Sequence, residues 1–133
     1  MEPEMTAYSI ETDQQKRLIS IVMRGYWDQP TFDLFAAEYE RAMIGMYRSG
    51  GLTYALVDGR EFAVQARTIS EQFAAVIARC KPYHARRTAS VVPAHLNKLQ
   101  AERAGNGGEL IAHYFTDMDA AKAWLFGTDA PAR

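Results

Sequence analysis

Apolar and polar positions alternate with two different periods along this chain, and the changes of period mark its elements. In AYSIET (7–12), Tyr8 and Ile10 fall on one side and Ser9 and Glu11 on the other, the two-residue period of a half-buried strand. LISIVMRG (18–25) is a stronger strand. The polar TDQQKR between them is too short for a crossover, so the two strands are predicted to pair antiparallel. The period then lengthens. Phe32, Phe35, Ala36, Tyr39, Met43 and Met46 recur at helical spacing and give one apolar face. WDQPTF supplies the start of that helix, with Pro30 in an early-turn position and Asp28 or Thr31 as cap. Gly50 and Gly51 end it.

TYALVDG (53–59) is an apolar, β-rich run whose end is expected to surface as a loop at Asp58, Gly59 and Arg60. TISE then reads as a capping box, with Thr68 capping a backbone N–H and Glu71 reaching back. The stripe Ile69, Phe73, Val76, Ile77 and Cys80 follows, stopped by Pro82. RRTASVVP (86–93) is predicted to be a strand and AHLNKLQAERA a short helix with Leu96 and Leu99 inward, followed by the loop GNGG (105–108). ELIAHYF (109–115) is the last predicted strand. TDMDAAKAWLF is the last predicted helix, capped by Thr116 with Asp119 three residues on. The chain thus reads as a single α/β domain with a mixed, mostly parallel five-stranded sheet and an antiparallel first strand. Its order is β-β-α-β-α-β-α-β-α, with a core over about residues 7–126 and loosely ordered ends.

Composition narrows the function classes. Fifteen basic against sixteen acidic residues give a formal charge of −1, which is no footprint for nucleic acid or an anionic membrane. The only basic cluster, HARR at 84–87, is a solvated loop by length. The lone Cys80 excludes an internal disulfide and suits a reducing compartment. The acidic N-terminus, broken by Pro3, is unlike a signal peptide, and no apolar run reaches the ~20 residues of a membrane span, so a cytoplasmic protein is expected.

Four stretches carry a resemblance: the opening YSIET, the strand LISIVMRG running into YWD, the strand ALVDGREF, and the closing YFTDMDAAKAWLF. Together they resemble the STAS-like fold, in particular its SpoIIAA-like branch, over about residues 7–126. None is a catalytic signature, so the resemblance speaks to fold far more than to function. STAS domains that antagonise anti-sigma factors carry Asp-Ser-Ser-Gly after the third strand and are switched by phosphorylation of a serine there. Here the stretch reads DGREFAVQARTISEQ, without the two serines and their glycine. Thr68 and Ser70, near the next helix N-terminus, are the phosphorylation candidates that remain, although helix capping explains them without a kinase. The resemblance otherwise implies the branch similar to CRAL-TRIO lipid-binding domains, whose members look like small-molecule or lipid carriers or have no known role.

The chemical alternatives lack their companions. A receiver domain needs an acidic pair after its first strand and a lysine after a later one, but the second strand ends in Arg24-Gly25 and the fourth at Pro93. Cys80 and His84 have i, i+4 spacing but Pro82 lies between them, while His95 and His113 stand apart, so no metal is expected. Cys80 lies on an inward stripe and reads as a core residue rather than a nucleophile. GNGG precedes a strand, whereas a phosphate loop opens a helix. An acid–base pair would need His95 or His113 within ~3 Å of Asp58.

No catalytic residue and no cofactor is therefore expected. The candidates are binding residues. Asp58, Arg60 and Phe62 lie at the carboxyl edge of the sheet, where open α/β folds collect ligands. Phe35, Tyr39, Met43 and Phe73 line the inner stripes of two helices as a wall able to repack around an apolar guest, core filling being the simpler account. Arg60 either meets an anionic headgroup or pairs with Glu61 or another surface acid. The expectation is a non-enzymatic module for a small apolar ligand or a partner protein, with self-association through an uncovered sheet face or edge.

Overall fold

The computed structural model describes residues 6–93 and 112–127. Within them run β1 (Tyr8–Asp13), β2 (Leu18–Gly25), α1 (Gln29–Arg48), β3 (Tyr54–Phe62), α2 (Arg67–Arg79), β4 (Arg87–Val91), β5 (His113–Phe115) and α3 (Met118–Phe126). The sheet order is β1-β2-β3-β4-β5, with β1 antiparallel to β2 and every other neighbour parallel. The helix expected at AHLNKLQAERA, the GNGG loop, His95 and the start of ELIAHYF lie outside the described residues.

Alternation along the strands builds two cores. Ile19 and Ile21 of β2 and Ala55 of β3 face α1 and α2, meeting Phe32, Phe35, Tyr39, Met43 and Met46 of α1 and Ile69 and Val76 of α2. The intervening positions face the other way. Tyr54 and Leu56 of β3 and Ala89 and Val91 of β4 pack against Ala121 and Leu125 of α3. Among the described residues helices therefore lie on both faces, and α3 sits over β3, β4 and β5 rather than over the β1–β2 hairpin.

Three helix ends show how local choices were resolved. Asp28 caps α1, its Oδ1 accepting from Thr31 N at 3.0 Å. The capping box expected at Thr68 does not form. The cap is Ala66, with no side-chain bond, and Glu71 instead pairs with Arg67 at 3.0 Å. The helix starts two residues too early for Thr68 to take the cap position. Likewise Asp117, not Thr116, caps α3, its Oδ2 accepting from Ala120 N at 2.8 Å. A carboxylate there also suits the positive end of the helix dipole.

The C-terminus of α1 is held from outside. Arg17, left-handed at φ 55° between β1 and β2, donates from Nη1 to Ser49 O at 2.9 Å and to Gly51 O at 3.3 Å. Gly50, at φ 125°, has this guanidinium where a Cβ would stand. The hairpin loop thus satisfies carbonyls that a helix end leaves orphaned.

Candidate functional site

β3 does not end at Asp58. It continues to Phe62, and Asp58, Gly59 and Arg60 are strand residues rather than the loop expected from sequence. The continuation is paid for by an irregularity: Val22 pairs with Asp58 but Arg24, two residues on, pairs with Glu61, three residues on. β3 therefore carries one extra residue here, a β-bulge. Without it Arg24 would oppose Arg60. With it Arg24 opposes Glu61, and Arg60 folds back over Asp58.

That fold-back decides the chemistry of Asp58. Its Oδ1 accepts from Arg60 N at 3.1 Å and Nε at 2.9 Å, and its Oδ2 from Arg60 Nη2 at 2.8 Å. The Arg60 hydrogen bonds hold the Asp58 carboxyl below the usual carboxylate range, with Arg24 adding to the effect by its charge. Both oxygens are engaged, and among the described residues every partner belongs to Arg60. Among the described residues Asp58 is thus a carboxylate fixed and neutralised by Arg60 alone. Of the two fates open to Arg60, pairing with a nearby acid is the one realised, and the acid is Asp58 rather than Glu61.

Beside this pair lies a cleft of about 100 Å³ lined by Val22, Met23, Arg24, Asp58, Arg60 and Glu61. It opens where α3 no longer covers the outer face. Arg24 donates from Nη1 to Thr6 O at 3.0 Å, and its closest approach to Glu61 is 3.6 Å, longer than a hydrogen bond.

Just past the strand ends, the β2–α1 and β3–α2 loops are stitched together. Ala63 N donates to Gly25 O at 3.1 Å. Gln65, only 7% exposed, accepts from Trp27 N at 2.8 Å and donates to Gly25 O at 2.9 Å and Ala63 O at 2.8 Å. Below the stitch, Trp27 is buried against Tyr8, Phe35, Phe62 and Phe73 with ring centroids 5.0–5.8 Å apart. Above it, Tyr26 and Val64 are thrust into solvent at 66% and 43% exposure. An ordered loop pair that buries Trp27 and Gln65 while exposing the neighbouring Tyr26 and Val64 is a candidate contact surface.

The structure separates the residues singled out from sequence. Asp58 and Arg60 lie together at the sheet's carboxyl edge. Phe62 does not join them, because the bulge turns it to the opposite face, edge-on to Trp27 and Phe73. Phe35, Tyr39 and Met43 are buried, and Phe35 and Phe73 sit within one cluster of rings in mutual contact. They fill the core between helices and sheet. Burial pushes the Tyr39 hydroxyl pKa up. Desolvation and Glu38 raise that of Tyr8 to about 12. Thr68 is exposed in the first turn of α2 and Ser70 half-buried, its N–H bonded to Ala66 O. Cys80 is fully buried and burial raises its thiol to about 11, which suits packing rather than attack. His84 Nε2 lies 3.0 Å from Ile77 O, and the His113 ring rests 4.1 Å from that of Trp124. Among the described residues no three metal-ligating side chains converge, and no helix is long and apolar enough to cross a membrane.

Sequence reasoning missed Arg24, Tyr26, Val64 and Gln65. The available signal was Tyr26 and Val64 themselves, apolar residues just outside two strands and off the stripe of the following helices.

No protein-family model matches the chain, and no curated protein matches it. Among solved structures it is similar to an uncharacterized protein of the DUF3478 family, with a SpoIIAA-like fold, from Shewanella loihica PV-4. Identity is 15% and the TM-score 0.65, over 94% of this chain and 98% of that one. At that identity the likeness shows the fold alone: a SpoIIAA-like α/β domain, in agreement with the fold resemblance drawn from sequence.

Proposed function

We propose that this chain is a non-enzymatic binding module that recognises a partner protein at the carboxyl edge of its sheet. The observation that carries this reading is the exposure of Tyr26 and Val64 on two loops locked together by Gln65. A rigid loop pair loses little conformational freedom on docking, and aromatic residues ringed by charge are typical of interface centres. Exposed charged residues close in the chain to Tyr26 and Val64 are Asp28, Arg60 and Glu61. A small apolar ligand is the weaker alternative, since Phe35, Tyr39 and Phe73 already contact other rings and a guest would have to displace them.

The test is affinity capture from the source cells with wild type, Tyr26→Asp, Val64→Asp and the distal control Leu34→Asp. Leu34 is equally exposed, on α1. A protein retained by wild type and Leu34→Asp but lost with both rim variants supports the reading. Equal recovery across all four overturns it. A second copy of the chain is one candidate partner, and light scattering on the same four proteins reads that case. Native mass spectrometry of freshly purified protein reads the apolar ligand.

A second reading, a phospho-regulated module of the anti-sigma-factor-antagonist type, has one observation in its favour. Thr68 is exposed beside an α2 N-terminus that has no side-chain cap, where a phosphate would meet free N–H groups. Phosphopeptide mapping from cells decides it: neither Thr68 nor Ser70 modified removes the switch.

A further inference from the structure

The cleft beside Asp58 holds two arginines in unequal states. Arg60 is fully committed, forked onto both oxygens of Asp58 and bonded to it again through its backbone. Arg24 is not. Its side chain is 28% exposed and lines the cleft, and among the described residues its one hydrogen bond runs from Nη1 to Thr6 O. The facing Glu61 stands 3.6 Å away at its nearest and is itself 67% exposed. An ion pair of that length and exposure contributes little and exchanges readily.

A guanidinium presents two parallel N–H donors to a carboxylate, and that bidentate geometry is much stronger than a distant charge pair. Among the described residues Arg24 has no such bidentate partner, and the cleft it lines has a volume of about 100 Å³. That is room for about three waters, or for one carboxylate and its first carbon. Val22 and Met23 are the apolar members of its lining, able to meet the carbon. Asp58 would ordinarily repel an entering anion, but Arg60 neutralises it. The bulge makes this division of labour: it moves Arg60 onto Asp58 and leaves Arg24 opposite only the loosely held Glu61.

We propose that this cleft is a binding site for one carboxylate group, received by Arg24 in exchange for Glu61. The site goes beyond the partner reading above, which concerns Tyr26 and Val64 and stands or falls without it. The carboxylate belongs either to a free small acid or to an acidic side chain of another protein.

The experiment follows the Arg24 Nε–Hε resonance in ¹⁵N-labelled protein at fixed ionic strength, titrating sodium acetate, then N-acetyl-glutamate amide, each against sodium chloride. Saturable shifts with a millimolar Kd, complete by ~50 mM, are expected for at least one carboxylate and not for chloride. Acetate alone saturating assigns a free small acid, and the blocked glutamate binding more tightly assigns a side chain. Glu61→Gln removes the competitor and tightens binding about two- to fivefold. Arg24→Gln weakens it about tenfold or more, read from shifts of the Val22 and Glu61 amides. Absence of saturation by either carboxylate overturns the site. So does unchanged or weaker binding in Glu61→Gln, which keeps the test decisive even where Arg24→Gln fails to fold.

Discussion

Gln65 offers the sharpest test of how the carboxyl edge is held. Gln65→Leu keeps the side chain's approximate volume and removes three hydrogen bonds of 2.8–2.9 Å. The three losses are unequal. Gly25 O still receives the Ala63 N–H at 3.1 Å, and Ala63 is exposed, so its carbonyl turns to water. The cost falls on the Trp27 N–H, in a residue 2% exposed, whose one acceptor among the described residues is Gln65 Oε1. Leaving such a donor unpaired costs ~1–3 kcal/mol, and the leucine's added apolar contact offsets part of it. A net loss of ~1–2 kcal/mol is expected, or ~3–8 °C in Tm for a domain of this size. Gln65→Glu retains the acceptor for Trp27 N but sets a carboxylate against the carbonyls of Gly25 and Ala63. It is therefore worse than Gln65→Leu near pH 7. The carboxyl's folded-state pKa is raised by those oxygens, so its stability recovers as the pH falls through that value toward ~5. Urea unfolding followed by tryptophan fluorescence measures both variants, and hydrogen exchange at the Trp27 amide localises the effect. Gln65→Leu within ~0.5 kcal/mol of wild type would refute the reasoning, as would a Gln65→Glu stability that does not rise on acidification.

Three further outcomes are expected. Asp58 has its folded-state pKa depressed by Arg60, so the pair's contribution is fully present above the unfolded value of ~3.9 and is lost as pH falls through the depressed one. The stability gap between wild type and Asp58→Asn is below ~1 kcal/mol at neutral pH, given the exposed Arg60, and closes in acid; a gap that persists at pH ~2 contradicts this. Gly50→Ala adds a Cβ 2.5 Å from the Arg17 guanidinium at a positive φ and costs ~1–2 kcal/mol. Arg17→Ala in the same chain relieves the collision, so the double-mutant cycle by thermal unfolding is non-additive. Asp28→Ala and Asp117→Ala each lose ~1 kcal/mol of capping, whereas Thr68→Ala stays within ~0.5 kcal/mol, because Thr68 holds no cap bond. Equal losses at all three positions would restore the capping box.

Much of the scaffold was legible because one local rule decided it. LISIVMRG spans β2 residue for residue, since a short β-branched apolar run bounded by a polar connection and a glycine is a strand signal. α1 follows from its stripe together with Asp28, Pro30 and the glycines beyond Ser49, all of which agree. Cys80 reads as core from its stripe, and it is buried. The phase of each pattern also carries which face each strand shows to which helix, and with it the antiparallel opening hairpin.

What the tertiary structure decided lies where local signals conflict. Asp-Gly in DGREF is ordinarily a strand terminator, and pairing with β4 does stop at Asp58, but pairing with β2 carries β3 past it, at the expense of one unpaired residue. That bulge belongs to no single segment, because it exists only as a mismatch of register between two strands. It determines the partners of Arg24, Asp58, Arg60 and Glu61, and sends Phe62 to the core. Hydrophobic periodicity predicts which side a residue faces only while the register holds. The candidate site sits at the point where it slips, so the sequence by itself named Asp58 and Arg60, and only the packed sheet joined them to each other and left Arg24 facing an open cleft.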